Sequence, residues 1–497
     1  MDQIIIDWNA LAERARTVFG INSWRPGQRD LLEAVLQGRD ALGILPTGGG
    51  KSLCFALASL FLPRPVIVVT PLISLAEDQT DKLEVANVAA TRVDSTLSAA
   101  ALRQAETAVR GGRLELIYVT PERLQDAEFL ELARKAGCSL LVIDETHCVS
   151  QWGHDFRPAY AALRFAAAAL GRPPVLALTA TATAAVERDI VEQLALRDPL
   201  VVRVSSARPN LHLAVRHAAG QKLPLLERLV ASEGSGLVYT ATVRAAREVF
   251  AHLVARDLPV GLYHGQLHPA VRHATQEAFM DGRYRIIVAT KAFGMGIDKP
   301  NTRFVVHYQL PDSLESYAQE SGRAGRDGLP AQVTLLFDPK DERVQRFFLL
   351  HKQPPASAVT GFLGWLAQQP CDTALDLGAL EDVVADRWRD VLCSDLSHLG
   401  QIERRGLSFV LPAPLDRDGA QRALKSRQGE RAAADRDRLK QMVDYASLGN
   451  CRAACLLRYF GDPSAEQCDH CDNCDERRGR VVHRKRKSRR AAPLGGK

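Results

Sequence analysis

The stretch Ile44-Leu45-Pro46-Thr47-Gly48-Gly49-Gly50-Lys51-Ser52 decides how the chain is read. An apolar run of strand length, 41–45, leads into it, and a helix-like run, 53–62, leads out. Three consecutive glycines let the backbone curl until its N–H groups point at one centre, where Lys51 can reach β- and γ-phosphates and the Ser52 hydroxyl can bind Mg²⁺. Leu45 stands where the common form of a phosphate loop carries its first glycine. The expected structure is a buried strand, a phosphate cradle and a helix, which is one unit of a parallel α/β sheet.

Outward from this loop the pattern repeats. Segments 66–70, 116–120, 140–144 and 175–179 are also continuously apolar and each ends at a polar or turn residue. Continuous rather than alternating apolarity means strands covered on both faces, hence a parallel sheet flanked by helices. A second set at 237–239, 260–263, 286–289, 304–308 and 333–337 predicts a second domain of the same kind. The expected division is 1–205 and 206–345. Beyond it, helices at 357–368, 375–384 and 387–399 with a short strand at 407–411 fit either a winged helix over 352–414 or a plain helical connector. A charged helical pair at 419–449 and a cysteine cluster complete a small module over 415–475, followed by a basic tail, 476–497.

Composition narrows the class. Of 497 residues, 46% are hydrophobic and 25% charged, an ordinary globular balance without an apolar run long enough for a membrane span. Met1-Asp2-Gln3 lacks a basic n-region and an apolar core, so a cytoplasmic location is expected. The net charge of +6 is concentrated at the end: ten Lys/Arg against Asp475 and Glu476 give +8 over 475–497, leaving −2 for the rest. Nucleic-acid binding by the body must therefore come from local patches, whereas the tail is a polybasic arm.

Other stretches carry chemistry. Asp144-Glu145-Thr146-His147 closes an apolar strand, which places Asp144 to hold Mg²⁺ through water and Glu145 to orient or deprotonate an attacking water. In Ser150-Gln151-Trp152-Gly153-His154-Asp155-Phe156-Arg157-Pro158-Ala159-Tyr160, Trp152 and Phe156 are suited to stacking on unpaired bases and Arg157 to phosphate. Cys451, Cys468, Cys471 and Cys474 have the spacing of a closed, structural Cys₄ zinc site, with Cys455 one helical turn after Cys451 as the competing ligand.

Three further motifs, Thr179-Ala180-Thr181-Ala182-Thr183, Met295-Gly296-Ile297-Asp298 and Gln319-Glu320-Ser321-Gly322-Arg323-Ala324-Gly325-Arg326-Asp327-Gly328, complete a resemblance. The chain resembles superfamily 2 helicases and, within them, RecQ DNA helicases, over about 11–345 and again 445–475. The resemblance implies two tandem RecA-like domains with ATP, Mg²⁺ and structural Zn²⁺ as cofactors. It gives Trp24, Arg25 and Gln28, after Phe19, to adenine recognition; Thr47, Gly48, Gly49, Gly50, Lys51, Ser52 and Asp298 to the nucleotide; and Gln319, Arg323 and Arg326, with Lys51, Asp144 and Glu145, to catalysis. Ser74, Thr120, Trp152, His154, Phe156 and Arg157 would contact DNA.

The implied activity is 3′→5′ translocation on single-stranded DNA and unwinding of duplex, forked or branched DNA in recombination or repair, by a nucleoid-associated monomer. An RNA helicase, a translocase that does not unwind, and a DNA-binding regulator with a vestigial motor are the alternatives. The chain departs from the family in the wording of His264-Gly265-Gln266-Leu267 and in the order of its modules. Roughly 100 residues separate the second motor domain from the zinc site, and the winged-helix candidate precedes that site instead of following it.

Overall fold

The apolar runs of the first domain become strands with every residue buried: β1 (Ala41–Ile44), β2 (Val66–Val69), β4 (Leu116–Val119), β5 (Leu140–Ile143) and β6 (Val175–Thr179), joined by β3 (Ala90–Val93) and β7 (Leu200–Arg203). In the computed structural model, which describes residues 6–150, 153, 155–231, 234–294, 299–462 and 466–479, they form one seven-stranded sheet ordered β3-β4-β2-β5-β6-β1-β7. Every pairing in it is parallel. Helices cover both faces, with Leu31, Leu32 and Phe55 among the buried side chains on one side and Phe129, Tyr160 and Leu163 on the other.

The second sheet holds β8 (Leu211–His217), β9 (Ser235–Tyr239), β10 (Val260–Tyr263), β11 (Ile286–Ala289), β12 (Thr302–His307) and β13 (Ala331–Phe337), ordered β10-β11-β9-β12-β13-β8 and again all parallel. Close approach explains one of its glycines: a Cβ on Gly236 would overlap the Phe304 ring on the neighbouring strand.

The chain divides into two compact units, Met1–Val204 with Phe348–Arg436 and Ser205–Phe347 with Asp437–Lys497. The segment after the second sheet is thus shared between them. Within the first unit, helices Ala356–Leu366 and Asp386–His398 enclose a small core of their own, built on Phe362, Leu363, Leu392, Leu396 and Leu424. The helix expected at 375–384 is reduced to one 3₁₀ turn, Leu377–Leu380, started by the Asp376 carboxylate accepting from Gly378 N–H. An antiparallel hairpin follows, β14 (Glu403–Arg405) with β15 (Ser408–Val410).

The pair of helices expected at 419–449 is instead a single 30-residue helix, Arg417–Ala446. Gly429 lies inside it with nothing near its Cβ position, and the surrounding Arg, Ala, Glu and Lys are strong enough helix formers to carry one glycine at a cost of about 1 kcal/mol.

Candidate nucleotide and metal sites

β1 delivers the chain to the phosphate loop with Leu45 fully buried, its N–H donating to the Thr179 carbonyl at 3.0 Å. The loop then wraps on itself: Gly49 N–H donates to the Pro46 carbonyl at 2.8 Å, and a Cβ on Gly49 would stand 2.8 Å from that oxygen. Gly48 and Gly50 both have φ +78°, a left-handed conformation that strains any L side chain. Helix Lys51–Ser59 starts at Gly50 without a side-chain cap, so its leading N–H groups remain directed at the loop, the arrangement that binds phosphate.

The residues expected at the base are attached to this loop. Gln28 is buried, its Oε1 accepting from Arg25 N–H at 2.8 Å and its Nε2 donating to the Gly50 carbonyl at 3.0 Å, while the Arg25 guanidinium donates to the Gly48 carbonyl. Trp24 packs edge-on against Trp8 at 6.3 Å, and Arg29 covers the other aromatic at 4.3 Å. Gln28 and Arg25 are thus tied by hydrogen bonds directly to the backbone of the glycine loop.

β5 ends at Asp144, whose N–H bonds the Val69 carbonyl at 2.9 Å, and the chain turns sharply at Glu145, a non-glycine residue at φ +51°. Backbone strain of this kind is held in place by its surroundings. Here Asp144 Oδ1 accepts from Glu145 N–H at 2.9 Å and the Asp144 carbonyl accepts the Tyr160 hydroxyl at 2.9 Å. Burial and the adjacent Glu145 carboxylate push the Asp144 carboxyl up to about 6, and the Lys51 ammonium pulls it back in part. Two crowded carboxylates beside one lysine are a donor set that a divalent cation would relieve, so the residues fit Mg²⁺.

Three residues not assigned from sequence bind this turn to the rest. His147 Nδ1 lies 3.3 Å from Glu145 Oε2 and 3.1 Å from Thr179 Oγ1, joining the Asp-Glu turn to the Thr179-Ala180-Thr181 motif. Burial opposes charge on this imidazole, yet Cys148 and Glu145 together hold its pKa well above the usual histidine value. Cys148 Sγ sits 3.8 Å from both His147 Nε2 and Asp155 Oδ2, and Arg157 reaches from Asp155 to the Pro71 carbonyl at 3.3 Å. Arg157 is thus engaged with protein partners instead of standing open for phosphate. Phe156 is half-buried, as are Ser74 in the first turn of helix Ile73–Val85 and Thr120 at the end of β4. Trp152, His154, Asp298 and the tail from Arg480 lie outside the described residues.

In the other unit, Gln319 lies half-buried on helix Leu314–Ser321, followed by Arg323, which is 5% exposed, and the half-buried Arg326. A Cβ on Gly294 would stand 2.9 Å from the Arg323 guanidinium, and among the described residues Arg323 Nε has no hydrogen-bond partner. That unit also carries the cysteine cluster. The Sγ atoms of Cys451, Cys468, Cys471 and Cys474 all lie within 4.8 Å of one another, with Cys455 outside the group.

Against burial, N–H donors from Ala454 and Cys468 lower the Cys451 thiol to about 7; burial and neighbouring sulfurs push Cys468 and Cys474 up to about 11 and 12. Four packed thiols that cannot ionise together without a cation fit a closed tetrahedral zinc site. The module is fixed to the sheet by Asp472, which accepts Val215 N–H at 2.7 Å and the Arg452 guanidinium at 2.5 Å.

Family comparisons agree with this geometry. Residues 25–189 match the DEAD/DEAH box helicase family, 221–328 the helicase conserved C-terminal domain, and 414–475 the RecQ zinc-binding family. The chain belongs to the RecQ helicase family. It is similar to the ATP-dependent DNA helicase RecQ of Bacillus subtilis (strain 168), 41% identical over 334 residues that cover 67% of this chain and 56% of that protein. A similar match, 41% over 334 residues and 66% of each chain, is to the probable ATP-dependent DNA helicase RecS of the same organism. This RecQ-family chain thus spans little more than half the length of the first of these relatives. Among solved structures, Mycobacterium smegmatis helicase Lhr bound to ssDNA and AMP-PNP aligns with TM-score 0.57 at 20% identity, covering 84% of this chain and 61% of that one, a likeness of fold. Among the described residues no helix is long and apolar enough to cross a membrane.

Proposed function

We propose that the protein is an ATP- and Mg²⁺-dependent DNA helicase that moves 3′→5′ on single-stranded DNA and opens duplex or branched DNA in recombination or repair. The observation that carries this reading is the division of the chemistry. One unit holds the phosphate loop and the Asp144-Glu145 turn, and the other holds Arg323, Arg326 and a RecQ-type zinc-binding module. In this reading Lys51 and the N–H groups of the helix it begins hold the triphosphate, with Gln28 on adenine. Ser52 and Asp144 would hold Mg²⁺, which neutralises phosphate charge when bound. Glu145 takes the proton of the attacking water, and Arg323 and Arg326 stabilise charge on the γ-phosphate once the units close. Arginines supplied by a second unit make hydrolysis depend on closure, so that each turnover changes the grip on the DNA backbone.

Helix Asp386–His398 followed by the β14–β15 hairpin supports a winged-helix-like reading of 352–414. The RNA alternative has one specific support, a 36% identical relative named putative ATP-dependent RNA helicase R290 from Acanthamoeba polyphaga mimivirus. ATP turnover with single-stranded DNA, duplex DNA and RNA, alongside strand displacement on 3′- and 5′-tailed duplexes, separates the readings. Stimulation by single-stranded DNA and opening of the 3′-tailed duplex are expected. Stimulation by RNA alone would overturn the proposal.

A further inference from the structure

Residues 329–413 lie between the matched family ranges, and the part from Phe348 folds with the first unit. This inserted segment has its own apolar core, and it and the long helix Arg417–Ala446 that follows it each reach one loop of the first sheet domain already singled out for DNA. Arg404 on β14 donates to Gln125 Oε1 at 3.0 Å, in the turn that follows Thr120, and its guanidinium lies 5.6 Å from the Phe165 ring and 4.9 Å from Phe409. On the long helix, Arg431 stands over the Phe156 ring at 5.7 Å. At the Arg404 contact is a cavity of about 280 Å³ lined by Glu122, Pro158, Asp390 and Arg404 among others.

Arg431 is not a loose surface arginine. It pairs with Asp395, a carboxylate with no exposure, which also accepts from Arg427 Nε at 3.0 Å. A buried carboxylate shared by two guanidinium groups adds little net stability, because desolvation offsets most of the attraction; what it does supply is a fixed geometry. The guanidinium held by Asp395 is therefore a rigid plane beside a ring on an otherwise irregular loop. Among its described residues that loop is held by Arg157 N–H on the Cys148 carbonyl at 2.9 Å, Gly153 N–H on the Ser150 carbonyl at 3.1 Å, and the Arg157 guanidinium on the Pro71 carbonyl at 3.3 Å. No other aromatic contact of Phe156 occurs among the described residues, so the long helix provides the seat for this ring.

We propose that Arg431, locked by Asp395 of the inserted segment, is a positioning residue that sets the Phe156 ring for stacking on an unpaired base, which makes the long helix, together with the insert that fixes its arginine, part of the DNA-sensing apparatus of the first unit. The proposal rests on the functional reading above, in which Phe156 meets DNA. It acts through orientation: the arginine touches neither base nor phosphate, and its substitution loosens the ring that does.

The test uses the full chain and an oligo-dT strand, reading the DNA concentration that gives half-maximal ATP turnover. Arg431→Met, which keeps the length of the side chain, is expected to raise that concentration about tenfold, the size of one weakened base stack, with turnover at saturating DNA within about twofold of wild type. Arg431→Lys, retaining charge without the planar fork, should fall between the two. The deciding arm is the double variant. If Arg431 acts through Phe156, Phe156→Ala combined with Arg431→Met is no worse than Phe156→Ala alone, a non-additivity that general destabilisation does not produce. Should Arg431→Met fail to fold, Arg431→Lys enters the same cycle. An unchanged half-saturation, or effects that multiply in the double variant, overturns the proposal alone. A wild-type protein whose turnover ignores single-stranded DNA overturns the functional reading beneath it.

Discussion

The two parallel sheets are built alike and equipped differently. Both place polar residues where buried strands run out, the position at which open α/β sheets bind ligands. At the end of β1 and β5 the first sheet offers a glycine loop, a lysine and two carboxylates, where burial and the neighbouring Glu145 raise Asp144 to about 6. Beyond β12 the second offers arginines, one of them 5% exposed with an Nε that has no hydrogen-bond partner among the described residues. In the proposed reading the first set holds the nucleotide and a metal ion, and the second contributes only charge. Under the proposed function, binding and hydrolysis should therefore be separable by substitution in one unit or the other.

The largest expected effect breaks the second half. Arg326→Ala should lower turnover by about 10³–10⁵-fold while leaving ATP binding near wild type, measured by nucleotide titration beside steady-state ATPase. Equal loss of binding and turnover would place the arginine in the binding half instead. Next in size is the zinc module of the same unit. Cys471→Ser is expected to abolish zinc, one equivalent per chain in the wild type, and to remove most soluble protein. Cys455→Ser, outside the four-sulfur group, should keep both. Metal analysis finding no zinc in the wild type contradicts the assignment.

The smallest effect sharpens the first half and concerns pH. The folded-state value of Asp144, about 6, lies above the ordinary carboxyl value, so its ionised form costs stability at pH above about 6 and the cost disappears below about pH 4, where folded and unfolded chains both carry the proton. Asp144→Asn should therefore be more stable than wild type at pH 7–8 by about 1–2 kcal/mol in magnesium-free melts, and equal to it near pH 4. A difference independent of pH would remove the electrostatic explanation.

Which parts of this were legible in the sequence follows from burial. The central strands, such as β2 with Val66, Ile67, Val68 and Val69 all buried, read as continuous apolar runs. In the two large sheets the strands not foreseen, β3, β7 and β8, are all sheet edges. Covered on fewer sides, they mix Thr91, Arg92, Arg203, His212 and Arg216 among their apolar residues, which blurs the pattern. The site splits the same way. Residues contiguous in a motif, from Thr47 to Ser52, could be assigned in advance, because the chemistry and the backbone turn share one stretch of chain. The bond from Gln28 to the Gly50 carbonyl, the His147 bridge to Thr179 and the seat that Arg431 provides for Phe156 could not, since each joins distant segments and no periodicity announces it.

The division of labour between the units stands or falls most directly on Glu145→Gln, which removes one proton acceptor and leaves the phosphate loop and both arginines in place. ATP hydrolysis is measured with saturating single-stranded DNA, together with nucleotide and DNA affinity. The expected result is a loss of turnover of about 10²–10⁴-fold with both affinities preserved. Turnover within a few-fold of wild type would contradict the assignment of the hydrolytic step to this carboxylate.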